Sequence, residues 1–419
     1  MKERNNNKKD SKKRELELYF HIPFCVRKCL YCDFLSAPAD GETIGRYMEA
    51  LLAETEGSAL SYQDYTVTSV FIGGGTPSVV PVEHLERLMA AVRGRYRLAQ
   101  NAEITIEVNP GTVTEDSLYR FRAAGINRLS IGLQSADDRE LVSLGRIHTW
   151  EQFVRAFSDA RRAGFGNINV DIMSALPGQT LDKYLNTLEK VLALEEPPEH
   201  ISAYSLILEE GTPFFEMAEN GMLEIPDEDT DREMYLATRE ILARKGYRRY
   251  EISNYAKEGY ECRHNCGYWQ RKNYVGFGIG AASLVENVRF RNGADLGAYL
   301  ADPLSCREEI QVLSRQEQME EFMFLGLRMT KGVDCGEFER LFGCGIEDMY
   351  GDTIEKNIRD GLLRIDSGIA GKEEESGKSG YKGQEESGQS RYEGQEESGQ
   401  SGREGQEEPG QSGGGGWEE

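Results

Sequence analysis

Apolar residues along the chain occur in two alternating kinds of segment. Short runs rich in β-branched and aromatic residues, apolar on nearly both faces, are typical of buried parallel strands. Longer stretches with apolar residues on one side predict amphipathic helices. The strand-like runs are Leu18–Phe24, Ser69–Ile72, Glu103–Val108, Arg128–Leu133, Asn167–Met173 and His200–Leu208. The helical patterns cover about Gly41–Leu60, Val82–Tyr96, Thr114–Ala124, Asp137–Ala163 and Thr180–Leu194.

This regular alternation predicts an α/β fold with a parallel sheet and helices outside it. Six strands are too few to close an eight-stranded barrel, so residues 17–250 are predicted to form an open, partial (β/α)6 barrel. Residues 251–370 are predicted to end in a small, mostly helical domain, with one helix near Glu317–Met329. Ligands of such barrels bind at the C-terminal ends of the strands.

The two ends of the chain differ from the middle in composition. Residues 1–16 form a short basic leader. From about Gly371 the chain is rich in Gly, Glu, Gln and Ser, and GQEESGQS recurs every eleven residues from Gly383, the third copy as GQEEPGQS. Such segments bury too little apolar surface to offset chain entropy. We therefore expect residues 1–16 and 371–419 to be disordered.

Charge and composition exclude several classes of function. The net charge of −23 argues against nucleic acid as a partner, because phosphate contacts need a basic surface. No apolar stretch reaches eighteen residues, so membrane association is expected to be peripheral at most. Eight cysteines without a secretion signal fit a reducing cytoplasm, where we expect the protein to reside.

Three cysteines follow the first strand closely, at positions 25, 29 and 32. Thiolates at Cys25, Cys29 and Cys32 can hold three corners of a [4Fe–4S] cluster, which leaves the fourth iron free for a small molecule. A Cys₃His zinc site that uses His21, or plain core cysteines, are the alternatives. The spacing favours the cluster.

Glycine and polar residues follow or end the later strands. Gly73-Gly74-Gly75-Thr76-Pro77 follows strand two, and consecutive glycines let a ligand approach the backbone; a simple turn is the alternative. Glu107 lies inside an apolar strand, which is costly unless the carboxylate binds a ligand or pairs with Arg128. Gln134, Arg146 and Asp171 lie near later strand ends, so one shared site is expected.

These motifs resemble a known family. CxxxCxxC with an aromatic residue before the last cysteine resembles the radical S-adenosylmethionine (radical-SAM) signature. The string YFHIPFCVRKCLYCDF resembles the branch that holds oxygen-independent coproporphyrinogen III oxidases and HemW-type heme chaperones. Matching stretches are GGGTP, EVNP, LSIGLQS, LGRIH and DIMSALPGQT.

The resemblance implies cofactors and their ligands. It assigns a [4Fe–4S] cluster to Cys25, Cys29 and Cys32, with S-adenosylmethionine on the open iron. The S-adenosylmethionine contacts that it implies are Tyr19, Tyr31, Gly74, Gly75, Thr76, Glu107, Gln134, Arg146 and Asp171.

A second motif, HNCGYW, begins at His264. Chemistry alone favours a buried, hydrogen-bonded histidine beside packed aromatic rings. HNxxYW nevertheless resembles the motif associated with heme chaperones, which implies that His264 contacts heme; Cys262 and Cys266 are alternative ligands. The glycines at 276, 278 and 280 are expected to form a compact turn, since no βαβ unit supports a dinucleotide loop. The remaining cysteines, at 306, 335 and 344, are expected to be structural.

The resemblance implies a heme chaperone that passes heme to an acceptor protein and takes electrons from a donor. The alternatives are an oxygen-independent coproporphyrinogen III oxidase or another radical-SAM enzyme. The oxidase signature adds a cysteine where this chain has Phe34, and it has a longer segment before the position of Tyr19. These differences and HNxxYW favour the chaperone. The repeat tail stands where the last strand and helix of the family lie.

Overall fold

Every strand predicted for the barrel is present. The computed structural model describes residues 14–366 and 380–383. The barrel strands are β1 (Arg14–Ile22), β2 (Tyr65–Gly74), β3 (Leu98–Val108), β4 (Arg128–Gln134), β5 (Ile168–Ser174) and β6 (His200–Ser205). The helices between them are α1 (Gly41–Ser58), α2 (Val82–Arg95), α3 (Glu115–Ala123), α4 (Asp138–Ser143), α5 (Trp150–Arg162) and α6 (Leu181–Leu192).

The helical pattern predicted as one unit over Asp137–Ala163 is two helices. The connection between α4 and α5 turns at Gly145, whose φ of +78° lies in the left-handed region that favours glycine. Thr149 then caps α5 by accepting a hydrogen bond from the N–H of Gln152. The break matters because it brings Arg146 out of a helix and onto the end of the sheet.

Strands β1 to β6 pair in sequence order, each parallel to the next. The partial (β/α)6 barrel is therefore confirmed. Six further short strands extend the sheet, β9 to β12 beyond β1 and the pair β8 and β7 beyond β6. They are β7 (Arg248–Arg249), β8 (Asn254–Ala256), β9 (Tyr274–Phe277), β10 (Ala282–Val285), β11 (Val288–Asn292) and β12 (Arg307–Val312). The accompanying helices are α7 (Pro213–Glu219), α8 (Glu228–Arg244), α9 (Arg263–Trp269) and α10 (Leu296–Ala301).

The turn predicted around residues 276–280 is only partly a turn. Its first half is strand β9, which pairs parallel with β1 through Gly276 opposite Tyr19. The turn follows at Gly278 and Gly280, both with positive φ. A pairing with a strand some 250 residues earlier leaves no local signal, so the sequence pattern did not reveal it.

The two faces of the barrel strands differ in polarity. In β1, Leu18 and Phe20 belong to the apolar core between the sheet and its helices. The alternate residues Glu17, Tyr19 and His21 face the other way, into the barrel interior. The interior is therefore lined with polar and aromatic side chains, although the strands were predicted to be apolar on nearly both faces.

The C-terminal domain is mostly helical, as predicted. Helices α11 (Arg315–Gly326), α12 (Cys335–Phe342) and α13 (Ile346–Arg359) pack around a separate apolar cluster that includes Met319 and Phe338. A three-stranded sheet joins β13 (Val333–Asp334), β14 (Leu363–Asp366) and β15 (Gly380–Gly383), with β15 in the middle.

Two expectations about disorder need correction. Strand β1 begins at Arg14, inside the predicted leader, because its first residue pairs with Tyr65 of β2. Strand β15 falls inside the predicted tail, because it has partners on both sides. Residues 1–13, 367–379 and 384–419, which include most of the leader and of the repeats, lie outside the described residues.

Candidate functional site

The three cysteines lie on a loop that the backbone holds at the mouth of the barrel. The N–H of Cys25 donates to the carbonyl of Ala37 at 3.2 Å, and the N–H of Cys32 donates to the carbonyl of Cys29 at 3.3 Å. The N–H of Leu30 donates to the carbonyl of Leu144, which ties the loop to the end of α4. The three cysteines of this loop are partly exposed thiols.

Two side chains approach the thiols, Thr76 from the loop after β2 and Arg146 from the connection between α4 and α5. The hydroxyl of Thr76 lies 3.5 Å from Sγ of Cys25, and the Arg146 guanidinium lies 3.8 Å from Sγ of Cys29. The guanidinium thus places a positive charge beside the thiol of Cys29. Three thiols on one loop, with one cation and one hydroxyl beside them, fit the donor set of a [4Fe–4S] cluster.

Asn109 joins these two side chains and was not predicted as a site residue. Its amide donates to the Thr76 hydroxyl at 2.8 Å and accepts from the Arg146 guanidinium at 2.7 Å. The same guanidinium also donates to the carbonyl of Gly132 at 2.5 Å. The signal for Asn109 was present in the EVNP stretch directly after β3, where a short polar residue reaches the strand ends. Asn109 therefore fixes both groups that contact the cysteines.

The glycines of GGGTP hold the cysteine loop, so this stretch is more than a simple turn. The N–H of Gly75 donates to the carbonyl of Ile22, and the N–H of Thr76 donates to the carbonyl of Phe24, at 2.8 and 2.7 Å. A Cβ atom on Gly75 would lie 2.7 Å from the Phe24 carbonyl oxygen, so only glycine permits this approach. Gly74 has a φ of +114°, which also requires glycine.

Glu107 is directed at the glycine loop. Its Oε2 atom accepts the N–H of Gly74 at 3.0 Å. Burial raises the pKa of this carboxyl to about 8, and the nearby charge of Asp171 adds to the effect. Among the described residues, no ion pair joins Glu107 to Arg128, so the structural alternative left open by the sequence is not formed.

Gln134 and Asp171 lie on the adjoining strands. Gln134 ends β4 with a φ of +72°, a conformation that non-glycine residues rarely adopt and that clusters at functional sites. Its Oε1 atom accepts the hydroxyl of Tyr204 at 3.1 Å. Asp171 accepts the amide of Asn169 at 2.7 Å, and burial raises the pKa of its carboxyl. Both side chains therefore belong to the interior of the barrel.

The two predicted tyrosines occupy different places. Tyr31 lies on the cysteine loop, where burial raises the pKa of its phenol while the charge of Arg146 opposes that shift. Tyr19 lies on the inner side of β1, with its hydroxyl 3.0 Å from Nδ1 of His21 and its ring stacked on Phe71. Tyr19 therefore lies inside the barrel, whereas Tyr31 lies at its mouth.

His264 lies away from the cysteine loop. Its ring nitrogens lie 2.8 Å from the hydroxyl of Ser69 and 2.9 Å from the hydroxyl of Tyr268. Burial lowers the pKa of this imidazole to about 3. Ser69 precedes Gly74 by five strand residues, about 16 Å. His264 is thus buried with both nitrogens engaged, and its contact with heme stays a prediction.

A cleft opens beside the cysteine loop at the mouth. It is lined by Val26, Arg27, Cys29, Thr76, Asn109, Thr112, Gly145, Arg146, Ile147 and His148. Among residues 14–366 and 380–383, no three His, Cys, Asp or Glu side chains are grouped as ligands of a metal ion. In the same residues no helix is long and apolar enough to cross a membrane.

Comparison with known proteins first defines the class. Residues 19–191 match the model of the Radical SAM superfamily, and residues 313–370 match the HemN C-terminal domain. The structure is similar to coproporphyrinogen III oxidase (HemN) from Escherichia coli, a radical SAM enzyme, with a TM-score of 0.74 and 23% identity. That likeness covers 84% of this chain and 85% of the other, and it establishes the fold.

Individual relatives narrow the class. The heme chaperone HemW of Escherichia coli (strain K12) is 41% identical over 359 residues, which cover 83% of this chain and 91% of that protein. HemW of Lactococcus lactis subsp. lactis is 39% identical over 349 residues, covering 83% and 90%. A mitochondrial radical S-adenosyl methionine domain-containing protein 1 of Mus musculus is 34% identical, covering 83% and 82%. The chain belongs to the HemW family of radical-SAM proteins.

Proposed function

We propose that the protein is a heme chaperone, which binds heme, holds a [4Fe–4S] cluster with S-adenosylmethionine and transfers heme to an acceptor protein. The similarity to HemW proteins over 83% of the chain supports the heme part of this proposal. One structural observation supports the cofactor part. Thr76 and Arg146 converge on the thiols of one exposed loop at the mouth.

The proposed cofactor ligands have separate tasks. Cys25, Cys29 and Cys32 would bind three irons, and the fourth iron would take the methionine end of S-adenosylmethionine. When bound and reduced, this pair supplies a one-electron cleavage of the sulfonium. Arg146 keeps a positive charge beside the thiolates. The carbonyl groups of the GGG backbone and the carboxyl group of Glu107 would then offer acceptors for the amino group, next to the cysteine loop.

The remaining predicted contacts are proposed to bind the nucleoside end of S-adenosylmethionine. Gln134 and Asp171 are polar groups of neighbouring strands that face the same interior. Buried polar groups of this kind are stabilised by a partner, and ribose hydroxyls supply both donors and acceptors. Tyr19 and Tyr31 complete the predicted set. We further propose a reducing, cytoplasmic setting, which the thiols of the cysteine loop support.

The cofactor proposal is tested by anaerobic reconstitution of the full chain. The wild type is expected to hold about four irons and four sulfides and to bind S-adenosylmethionine. The triple variant Cys25→Ser, Cys29→Ser, Cys32→Ser should lose both. The matched control Cys306→Ser, which changes a cysteine outside the loop, should keep both. Full iron and sulfide content in the triple variant would refute the assignment.

Heme binding is tested by titration with hemin and observation of the Soret band. The proposal expects saturable binding, followed by transfer when an apo heme protein is added. Both nitrogens of His264 are engaged in hydrogen bonds, so its role as a heme ligand needs a direct test. An unchanged Soret maximum and an unchanged heme affinity in His264→Ala would show that His264 is not a ligand. Heme that binds but is never passed on would exclude a chaperone.

The oxidase remains the second candidate, because the structure is similar to HemN. It is tested with the same reconstituted protein, coproporphyrinogen III, S-adenosylmethionine and a reductant. The chaperone proposal expects no loss of carbon dioxide from the propionate groups. Decarboxylation without heme binding would replace the proposal with the oxidase.

A further inference from the structure

The barrel interior contains a buried arginine that forms no ion pair with any described residue. Arg128 is the first residue of β4, and with 2% of its surface exposed it is the largest fully buried side chain among the described residues. Its Nε atom has no hydrogen-bond partner in the part of the chain that the structure describes. Within residues 14–366 and 380–383, no salt bridge involves its guanidinium. A guanidinium cannot lose its proton in a protein, so a full charge is buried here.

The surrounding carboxyl groups do not neutralise this charge by direct contact. Glu107 and Asp171 are close enough for each to sense the charge of Arg128, yet each has other hydrogen-bond partners. Burial raises the pKa of both carboxyls, to about 8 for Glu107, which therefore carries a proton at neutral pH. Glu103 also interacts electrostatically with Arg128, but it accepts hydrogen bonds from the N–H groups of Arg263 and His264 at the start of α9.

Thr105 lies in the same row of residues across the strands as Arg128, because the two stand opposite each other in the pairing of β3 with β4. Thr105 is fully buried, and its Oγ1 atom has no hydrogen-bond partner among the residues that the structure describes. The same row continues through Phe71 and Tyr19, whose rings stack with centroids 6.4 Å apart. The row thus presents one guanidinium, one hydroxyl and two aromatic rings to the interior.

We propose that Arg128 and Thr105 form a binding site for a carboxylate, whose alkyl part lies along Phe71 and Tyr19. A guanidinium matches the planar, two-oxygen geometry of a carboxylate, and the threonine hydroxyl supplies a further donor. A monoanion matches the single positive charge of the guanidinium, whereas a phosphate dianion would bury a second negative charge without a partner. The aromatic part of the row suits the apolar remainder of such a ligand.

The site shares only Tyr19 with the proposed S-adenosylmethionine contacts, and its charged end lies away from them. Arg128 and Gln134 lie at opposite ends of β4, six residues or about 20 Å apart. A ligand on Arg128 would therefore lie deeper in the barrel than the cysteine loop. Two sources share this chemistry: a free small carboxylic acid, or a propionate group of a porphyrin. The second source rests on the proposed heme binding.

The first experiment measures thermal unfolding of the reconstituted full chain in carboxylate-free buffer, with sodium propionate or equal sodium chloride. Propionate is expected to raise the Tm saturably in the wild type. Loss of a charge-assisted hydrogen bond should weaken propionate binding at least about tenfold in Arg128→Met. Thr105→Val should weaken it less, and the exposed-site control Arg46→Met should leave it unchanged.

Two results would overturn the site. One is a propionate effect no larger than that of chloride. The other is an equal rise in Tm with propionate in the wild type and in Arg128→Met, while the variant without ligand has a lower Tm than the wild type. That result would mean that Arg128 is a structural residue whose hydrogen bonds are satisfied by internal water. If Arg128→Met fails to fold, Arg128→Lys replaces it: the charge stays, the planar fork is lost, and weaker propionate binding is still expected.

The second experiment separates the two sources by comparing mesoheme with mesoheme dimethyl ester. Weaker binding of the ester to the wild type, with no such difference in Arg128→Met, identifies a porphyrin propionate as the ligand. Equal binding of both, with propionate binding retained, identifies a free acid. Failure of all heme binding would contradict the proposed function, while the propionate measurement would still decide the site.

Discussion

A single residue step along a barrel strand decides whether a side chain meets the apolar core or the polar interior. Leu16 and Leu18 of β1 pack into the core, whereas Glu17 between them is turned inward. Glu17 is buried, its Oε2 atom has no hydrogen-bond partner, and burial raises the pKa of its carboxyl to about 8. The same alternation directs Glu107 and Arg128 inward.

The raised pKa of Glu17 predicts a pH dependence of stability. Between its ordinary pKa of 4.5 and about 8, the native state keeps a proton that the unfolded state releases. Stability should therefore fall as the pH rises through this window, by up to about 4 kcal/mol for this group. In Glu17→Gln that part of the loss should disappear when the free energy of unfolding is measured from pH 5 to 8.

A matched control is available on the same strand. Glu15 is exposed and pairs with Lys272, so Glu15→Gln should keep the pH dependence of the wild type. Parallel curves for the wild type and Glu17→Gln would show that this carboxyl is already charged in the folded protein.

At the scale of elements, helix α9 is fitted to the inner face of the sheet. Its His264 is bonded to Ser69 of β2, and its first N–H groups are bonded to Glu103 of β3. Gly267 of the same helix leaves room for the carboxylate of Glu17. The HNxxYW stretch therefore has a structural role in the barrel that does not depend on contact with heme.

Gly267→Ala is expected to destabilise the fold, because the added Cβ atom would overlap the Glu17 carboxylate in a closely packed interior. Overpacking of this kind costs about 1–3 kcal/mol. Gly45→Ala in α1, where nothing lies within 4 Å of the added atom, should be neutral or stabilising. Chemical denaturation of both variants provides the test.

A double variant shows whether the clash is the cause. Glu17→Ala combined with Gly267→Ala should cost less than the two separate changes together. If the changes in the free energy of unfolding were strictly additive, helix α9 would accommodate the added Cβ atom by shifting its position rather than by contact with Glu17.

At the scale of the whole molecule, distant segments complete the sheets. Strand β9 extends the barrel sheet next to β1, and β15 lies between β13 and β14 in the C-terminal domain. β15 ends at Gly383, the first residue of the repeat region. Residues 380–383 of the tail are thus part of the domain.

This arrangement predicts different effects of two truncations. A chain ending at Ser387 should unfold like the full chain, since it keeps β15. A chain ending at Asp366 lacks the middle strand and should lose about 1–3 kcal/mol from the C-terminal domain, since β13 and β14 lose their hydrogen-bond partners. Hydrogen exchange should show faster exchange of Val333 and Leu363 in the shorter chain; equal protection in both chains would contradict the role of β15.

The local pattern of the chain determined the alternating elements, the cysteine loop and most of the residues around it. Periodicity and motif spacing are properties of neighbouring residues, so they can be identified in the sequence without knowledge of the fold. Tertiary structure decided which groups meet: Asn109 with Arg146, His264 with Ser69, and Arg128 with no partner among the described residues. These outcomes depend on strand register and on contacts between distant segments, which no local pattern encodes.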